Sequence, residues 1–227
     1  MIDLQGFREE IEHERLWRED ELRLLKNKVQ EVENLDKQNI LRKTLIVMLY
    51  AYFEGICKFS FTAYVRNINK LAMENHEVSW SILASSFNKV FKELNSTDKE
   101  SIFNKGRPDD SELHQFSRRK RFVEEFSSLM EQKVLLNEDE IIDLESNIKP
   151  IVIKKVLFLL GIEHSEVDKW SGKINKLLRY RNNIAHGSMK DGIKKETYQE
   201  LEDEIFQIIN SIVLYLSKAI IDKKYTR

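Results

Sequence analysis

The chain has 227 residues, 41% of them hydrophobic and 33% charged, with 37 Lys and Arg against 38 Asp and Glu for a formal net charge of -1. That balance leaves enough apolar material for a sizeable core, and it excludes a polycation that holds nucleic acid by bulk charge alone. Seven glycines and two prolines are few turn-formers for this length, so the expected class is all-α, built from long helices.

In chain order, Leu4, Phe7 and Ile11, then Leu22, Leu25, Val29 and Val32, recur at helical spacing. They predict an amphipathic helix over 3–35 whose other face is dense in Glu, Lys and Arg. The next stretch, 38–75, is apolar on most sides (Leu45, Ile46, Leu49, Tyr50, Tyr52, Phe53, Ile56, Phe59, Phe61). Such a helix belongs at the centre of a protein or in a dimer interface. Gly55 within it costs about 1 kcal/mol relative to Ala and points to close approach by a neighbouring backbone. A shorter helix is expected over 79–94 with Ser79 as N-cap. Residues 95–115 turn polar around Gly106-Arg107-Pro108 and read as a loop. Helical spacing resumes over 116–133, a short helix is expected over 137–144, and Pro150 opens another that Gly161 stops. Ser165 is expected to cap a helix running to Ala185. Tyr198, Leu201, Ile205, Ile208, Ile212 and Leu216 mark the inner face of a last helix over 195–222. The organisation expected is one domain over 1–227, four longer helices with 78–160 as a helical elaboration on them.

Cys57 is the only cysteine, so no internal disulfide forms and the thiol is expected to be a reduced core group. Residues 1–30 lack the apolar core of a signal peptide, and no run of about 18 apolar residues suggests a membrane span. A cytoplasmic location without a membrane partner is the expectation. The histidines His13, His76, His114, His164 and His186 are scattered, none at ligand spacing from another His or Cys, so neither metal nor cofactor is expected. The chain has no phosphate-cradling glycine loop, nucleophile elbow or dinucleotide fingerprint.

One spacing remains, Arg-x4-His, and it occurs twice. In Arg8-Glu9-Glu10-Ile11-Glu12-His13 three glutamates separate the ends, which reads as an exposed helix face. In Arg181-Asn182-Asn183-Ile184-Ala185-His186-Gly187 the residues before the His are apolar and small. Gly187 can end the helix in the left-handed conformation. Positions five apart differ by about 140° around a regular helix, so Arg181 and His186 share no helical face. A helix that stops near His186 frees the imidazole to turn towards the Arg side. Histidine titrates near neutrality and suits proton transfer, while arginine is permanently charged and contacts two phosphate oxygens at once. Both side chains have a bland reading too, as caps on the end carbonyls and dipole of their helix.

The segment 181–187 resembles the Arg-x4-His signature of the HEPN superfamily, in which Asn commonly follows the Arg. Tyr50-Ala51-Tyr52-Phe53-Glu54-Gly55-Ile56-Cys57-Lys58 resembles the central helix of one prokaryotic branch of that superfamily, with its Glu-Gly-x-x-Lys element. The two cover the centre and the final third of the chain; the N-terminal helix and 78–160 match neither. The resemblance implies a HEPN-like helical bundle and a metal-independent endoribonuclease, a homodimer whose two motifs face one cleft. RNA would supply its own nucleophile, the 2′-OH, leaving a 2′,3′-cyclic phosphate. It implies catalytic roles for Arg181, His186 and Asn182, with Asn182 bonding the phosphate or orienting His186. Glu54 and Lys58, four apart on one helix face, are expected to form an ion pair, read first as purely structural and alternatively as positioning the motif, with Lys58 reaching phosphate.

A toxin or anti-phage defence role, with an antitoxin or defence-system partner, also follows from the resemblance. The alternatives are a non-catalytic HEPN module that binds RNA, nucleotide or a protein partner, and a structural helical dimer in which the motif is a helix cap. Some HEPN toxins carry a Tyr two residues after the His, which a partner nucleotidyltransferase modifies; Ser188 stands there, so neutralisation by that route is not expected. Arg118-Arg119-Lys120-Arg121 is the densest basic cluster. Four successive helical positions point all round a helix, so it reads as solvated surface rather than an RNA track.

Overall fold

The computed structural model describes residues 1–96, 111–144 and 147–227. Among them lie nine helices: α1 (Leu4–Gln30), α2 (Leu35–Lys70), α3 (Trp80–Ser86), α4 (Asn88–Leu94), α5 (Ser111–Glu131), α6 (Glu138–Ile141), α7 (Pro150–Leu159), α8 (Val167–Ala185) and α9 (Lys195–Ile221). Strand pairing among the described residues is limited to isolated bridges, Glu74 with Lys133 and Val78 with Thr226.

The amphipathic pattern decides how these helices pack. α1 turns Phe7, Ile11, Leu22 and Val29 inward and carries exposed pairs on its outer face, Arg23 to Asp20 at 2.8 Å and Lys28 to Glu31 at 2.9 Å. α2 begins where the Asn34 side chain accepts the Lys37 N–H at 2.9 Å. It is the axis of the molecule, and α1, α8 and α9 all pack on it. That explains why it is apolar on most sides: Ile46, Leu49, Phe53, Phe61, Tyr64, Val65 and Ile68 expose no surface. Each of these aliphatic and phenylalanine side chains stabilises the fold by roughly 1.5–3 kcal/mol relative to leaving it in water. α9 supplies Leu201, Ile205, Ile208, Ile209, Ile212 and Leu216 to the core, and α8 supplies Ile174, Leu177 and Leu178. The four longer helices expected from the sequence thus form an all-α bundle. α2 and α9 are long and apolar enough, by length and composition alone, to cross a membrane. Their most apolar windows are 56% and 44% buried here, and the core helix of a bundle passes the same test.

Part of the elaboration over 78–160 shares this core. Val78, Ile82, Ile148, Ile153, Val156 and Leu160 are fully buried, and α7 packs against both α3 and α8. Pro150 stands at the start of α7, and Gly161, at φ 69°, closes it as the Ile162 N–H reaches back to the Leu157 carbonyl at 2.9 Å. α5 behaves otherwise. Its 21 residues bury only His114 and Arg118, and it packs chiefly on α4. The basic run divides there: the buried Arg118 guanidinium donates to the Ser96 carbonyl, whereas Arg119, Lys120 and Arg121 are exposed.

Four local expectations change, the first being the single helix expected over 79–94, which breaks at Phe87 into α3 and α4. Residues 111–115, expected as loop, form the first turn of α5, while 97–110 of that loop lie outside the described residues. α8 starts at Val167 rather than at a Ser165 cap. Ser165 sits in the preceding turn, where its N–H and that of His164 donate to the Glu163 carboxylate. Those bonds, Ser165 first, pull the Glu163 carboxyl down to about 2. Gly55 does admit a close neighbour, but it is a side chain and not a backbone: a Cβ there would collide with Nη1 of Arg18 on α1. Cys57 is buried as expected, with burial pushing its thiol up.

Candidate functional site

Arg181 extends the inward stripe of α8 that Ile174, Leu177 and Leu178 begin, and so it faces α2 where those two helices pack. Its guanidinium lies 4.5 Å from the ring centroid of Tyr50 on α2. One N–H, on Nη1, donates to Oδ1 of Asn182 at 2.9 Å. No carboxylate comes within ion-pair distance of it among the described residues. A positive group held by an aromatic face and one amide keeps its full charge and most of its donors for a ligand.

The end of α8 is built by backbone. His186 is the C-cap residue at φ -88°, ψ 3°, its N–H on the Asn182 carbonyl at 2.9 Å. Gly187 follows at φ 70°, with its N–H on the Ile184 carbonyl and the Ser188 N–H on the Asn183 carbonyl. The Ser188 hydroxyl donates to the same Asn183 oxygen at 3.1 Å. The Asn182, Asn183 and Ile184 carbonyls are therefore satisfied without hydrogen bonds from the side chains of Arg181 or His186. The His186 imidazole is exposed and makes no side-chain hydrogen bond among the described residues.

The loop after His186 is tied back to α2. Lys43 Nζ donates to the carbonyls of Met189 at 2.7 Å and Lys190 at 3.0 Å. The Ile193 N–H donates to the Asn39 carbonyl at 2.7 Å, and the buried Arg42 reaches the Ile193 carbonyl at 3.4 Å. Gly192 lies so close that a Cβ would sit 2.6 Å from the Asn39 carbonyl carbon. One helix thus supports both ends of the motif, Arg181 through Tyr50 and the segment beyond His186 through Asn39, Arg42 and Lys43.

Sequence reasoning singled out five residues, and the structure brings only some of them together. Arg181 and Asn182 are bonded to each other, so the Asn182 carbonyl orients the arginine, and its contact to His186 is through backbone only. Glu54 joins them through Tyr50, whose hydroxyl donates to its carboxylate at 2.9 Å. No ion pair links Glu54 to Lys58, contrary to the expectation from their spacing; the tyrosine occupies the glutamate instead. Lys58 is exposed and shares a groove of 510 Å³ with Glu54, Gly55, Asp139 and Asp143, an acidic setting for a phosphate contact. The other Arg-x4-His copy behaves as surface: Arg8 donates to the Ser217 hydroxyl at 3.1 Å and His13 is exposed.

Two residues of the site escaped the sequence reading. Tyr50 looked like one more core aromatic, although its place four residues before Glu54 is a usable signal. Lys43 carried no signal, because its partners are carbonyls far along the chain. No group of three or more His, Cys, Asp or Glu side chains among the described residues is placed to hold a metal ion.

The sequence profile of the RiboL-PSP-HEPN family matches residues 13–218. No curated protein and no solved structure matches the chain. The matched span takes in α2, the Arg181–His186 motif and most of α9. This all-α chain belongs to the RiboL-PSP-HEPN family of the HEPN superfamily.

Proposed function

We propose that this protein is a metal-independent endoribonuclease of the HEPN type, acting as a toxin or in defence against phage. The observation that carries the reading is Arg181, an arginine held in place yet unneutralised, five residues before an exposed histidine at a helix end. RNA cleavage by its own 2′-OH needs little else. An imidazole accepts the 2′-OH proton, or delivers a proton to the departing 5′-oxygen. The 2′-oxygen bonds to phosphorus as the bond from phosphorus to the 5′-oxygen breaks, leaving a 2′,3′-cyclic phosphate and a 5′-hydroxyl. The Arg181 guanidinium offers paired N–H donors to the charged phosphorane, and pre-placed charge of this kind contributes about 3 kcal/mol to a transition state. Asn182 holds the guanidinium through its carbonyl and keeps its own N–H groups for phosphate.

One chain supplies one Arg181 and one His186, and a homodimer with both motifs in one cleft supplies the acid and the base together. RNA is the substrate in this reading, with no cofactor, and the setting is the cytoplasm. An antitoxin or defence-system partner would restrain the enzyme. The test is cleavage of total RNA by purified wild type and His186→Ala, with and without EDTA. Wild type alone should cut, EDTA should make no difference, and the upstream fragments should carry cyclic phosphate ends.

A second reading rests on the imidazole itself. His186 has no side chain orienting it, whereas general acid–base groups are usually oriented by a neighbour. A HEPN module that binds RNA, nucleotide or a protein partner without cutting keeps the same Arg181 geometry. Equal, intact RNA from both proteins, with RNA still bound, selects that reading.

A further inference from the structure

Tyr50 meets three elements with one side chain. Its ring lies beneath Arg181 of α8. Its hydroxyl donates to Glu54 on its own helix at 2.9 Å, and it accepts the N–H of Ile148 at 3.1 Å from the segment just before α7. Ile148 is fully buried and α7 is part of the core, so the hydroxyl is anchored to a fixed point. Tyr50 is itself buried. Burial, aided by Glu54, pushes its phenol up to about 12, so the hydroxyl remains a neutral donor across physiological pH.

The arrangement solves an electrostatic problem. Glu54 and Arg181 both contact Tyr50, from its hydroxyl and its face, yet they form no ion pair. A carboxylate on Arg181 would take two of its N–H groups and cancel the charge that a phosphate needs. An aromatic face under the guanidinium leaves that charge intact.

We propose that Tyr50 is a positioning residue that supports Arg181 with its ring and withholds Glu54 from it with its hydroxyl, coupling the 78–160 elaboration to the motif through Ile148. The proposal rests on Arg181 being the phosphate-binding cation. In Tyr50→Phe the ring stays and the hydroxyl goes, so Glu54 turns to Arg181 and neutralises it. In Tyr50→Leu the ring goes as well.

Two readouts test this, and only one depends on RNA. The first is the Nε–H resonance of Arg181 in ¹⁵N-arginine-labelled protein, assigned with Arg181→Lys. Tyr50→Leu should abolish its upfield ring-current shift. Tyr50→Phe should keep that shift and add the downfield change of a carboxylate bond, which Tyr50→Phe/Glu54→Gln should reverse. The second is the affinity for a fluorescein-labelled single-stranded RNA 20-mer, measured by anisotropy in the His186→Ala background. Tyr50→Phe should weaken binding about tenfold, the effect of one lost charge-assisted contact, and adding Glu54→Gln should restore most of it. An Arg181 resonance unmoved in Tyr50→Leu overturns the support. A resonance unmoved in Tyr50→Phe, or weakened binding that Glu54→Gln does not restore, overturns the withholding of Glu54. If wild type neither binds nor cuts RNA, the functional reading fails, and the resonance arm still decides how Arg181 is held.

Discussion

At the scale of single residues, the motif divides into side chains that leave the helix end alone and backbone that closes it. His186 is exposed and its helix end is closed without its ring. His186→Ala should therefore leave the melting temperature within a degree or two and lower the cleavage rate by about 10²-fold or more; unchanged cleavage would remove the imidazole from the chemistry. Tyr50 makes a pH-dependent contribution to stability. Its folded phenol is pushed up to about 12, above the value of about 10 for a free tyrosine. The contribution is complete below pH 10 and is lost as pH climbs to about 12, because the unfolded chain ionises first. Over that window Tyr50→Phe should show a shallower loss of stability than wild type, by about 2 kcal/mol. Denaturant melts of both proteins at pH 9, 10 and 11 should show the first part of it, about 1 kcal/mol by pH 11, and parallel curves would mean that the phenol is not held as described.

At the scale of elements, the loop between α8 and α9 fixes where the imidazole stands. Two glycines there separate strain from crowding. Gly187 sits at φ 70° with open space where a Cβ would go, so Gly187→Ala costs only left-handed strain, about 1 kcal/mol. Gly192 faces the Asn39 backbone, which cannot yield, so Gly192→Ala should cost more, about 2–3 kcal/mol, and loosen the loop. Thermal melts rank the two, and the reverse order would contradict the packing of the loop on α2. Lys43→Ala removes the donor to the Met189 and Lys190 carbonyls. Amide exchange in 188–193 should then speed up while the bundle core stays protected; unchanged exchange would show that Ile193 and Arg42 alone hold the loop.

At the scale of the whole molecule, the composite cleft proposed above requires two chains. Light scattering should give a mass near twice 27.0 kDa at micromolar concentration, and a single-chain mass at every concentration tested would rule out a shared cleft. Much of the architecture was legible beforehand. The rhythm of Phe7 and Ile11, the apolar run around Phe53 and the stripe from Tyr198 to Leu216 each named a helix and its buried face. Less legible was the difference between α5 and α7. Both read as helices of the elaboration, but Val152, Ile153 and Val156 leave α7 apolar enough to enter the core, whereas α5 buries only a histidine and an arginine.

What the sequence alone determined is local: helical class, inward faces, the stop at Gly187, and Arg181 and His186 as the pair to watch. Those features depend on residues a few positions apart, where backbone geometry fixes the spacing. The tertiary structure decided which surfaces meet. Glu54 bonds Tyr50 rather than Lys58, Arg181 rests on that same ring, and Lys43 reaches carbonyls 146 and 147 residues away. Such contacts depend on how far one helix is rotated and shifted against another, and that is set by the packing of the whole core at once.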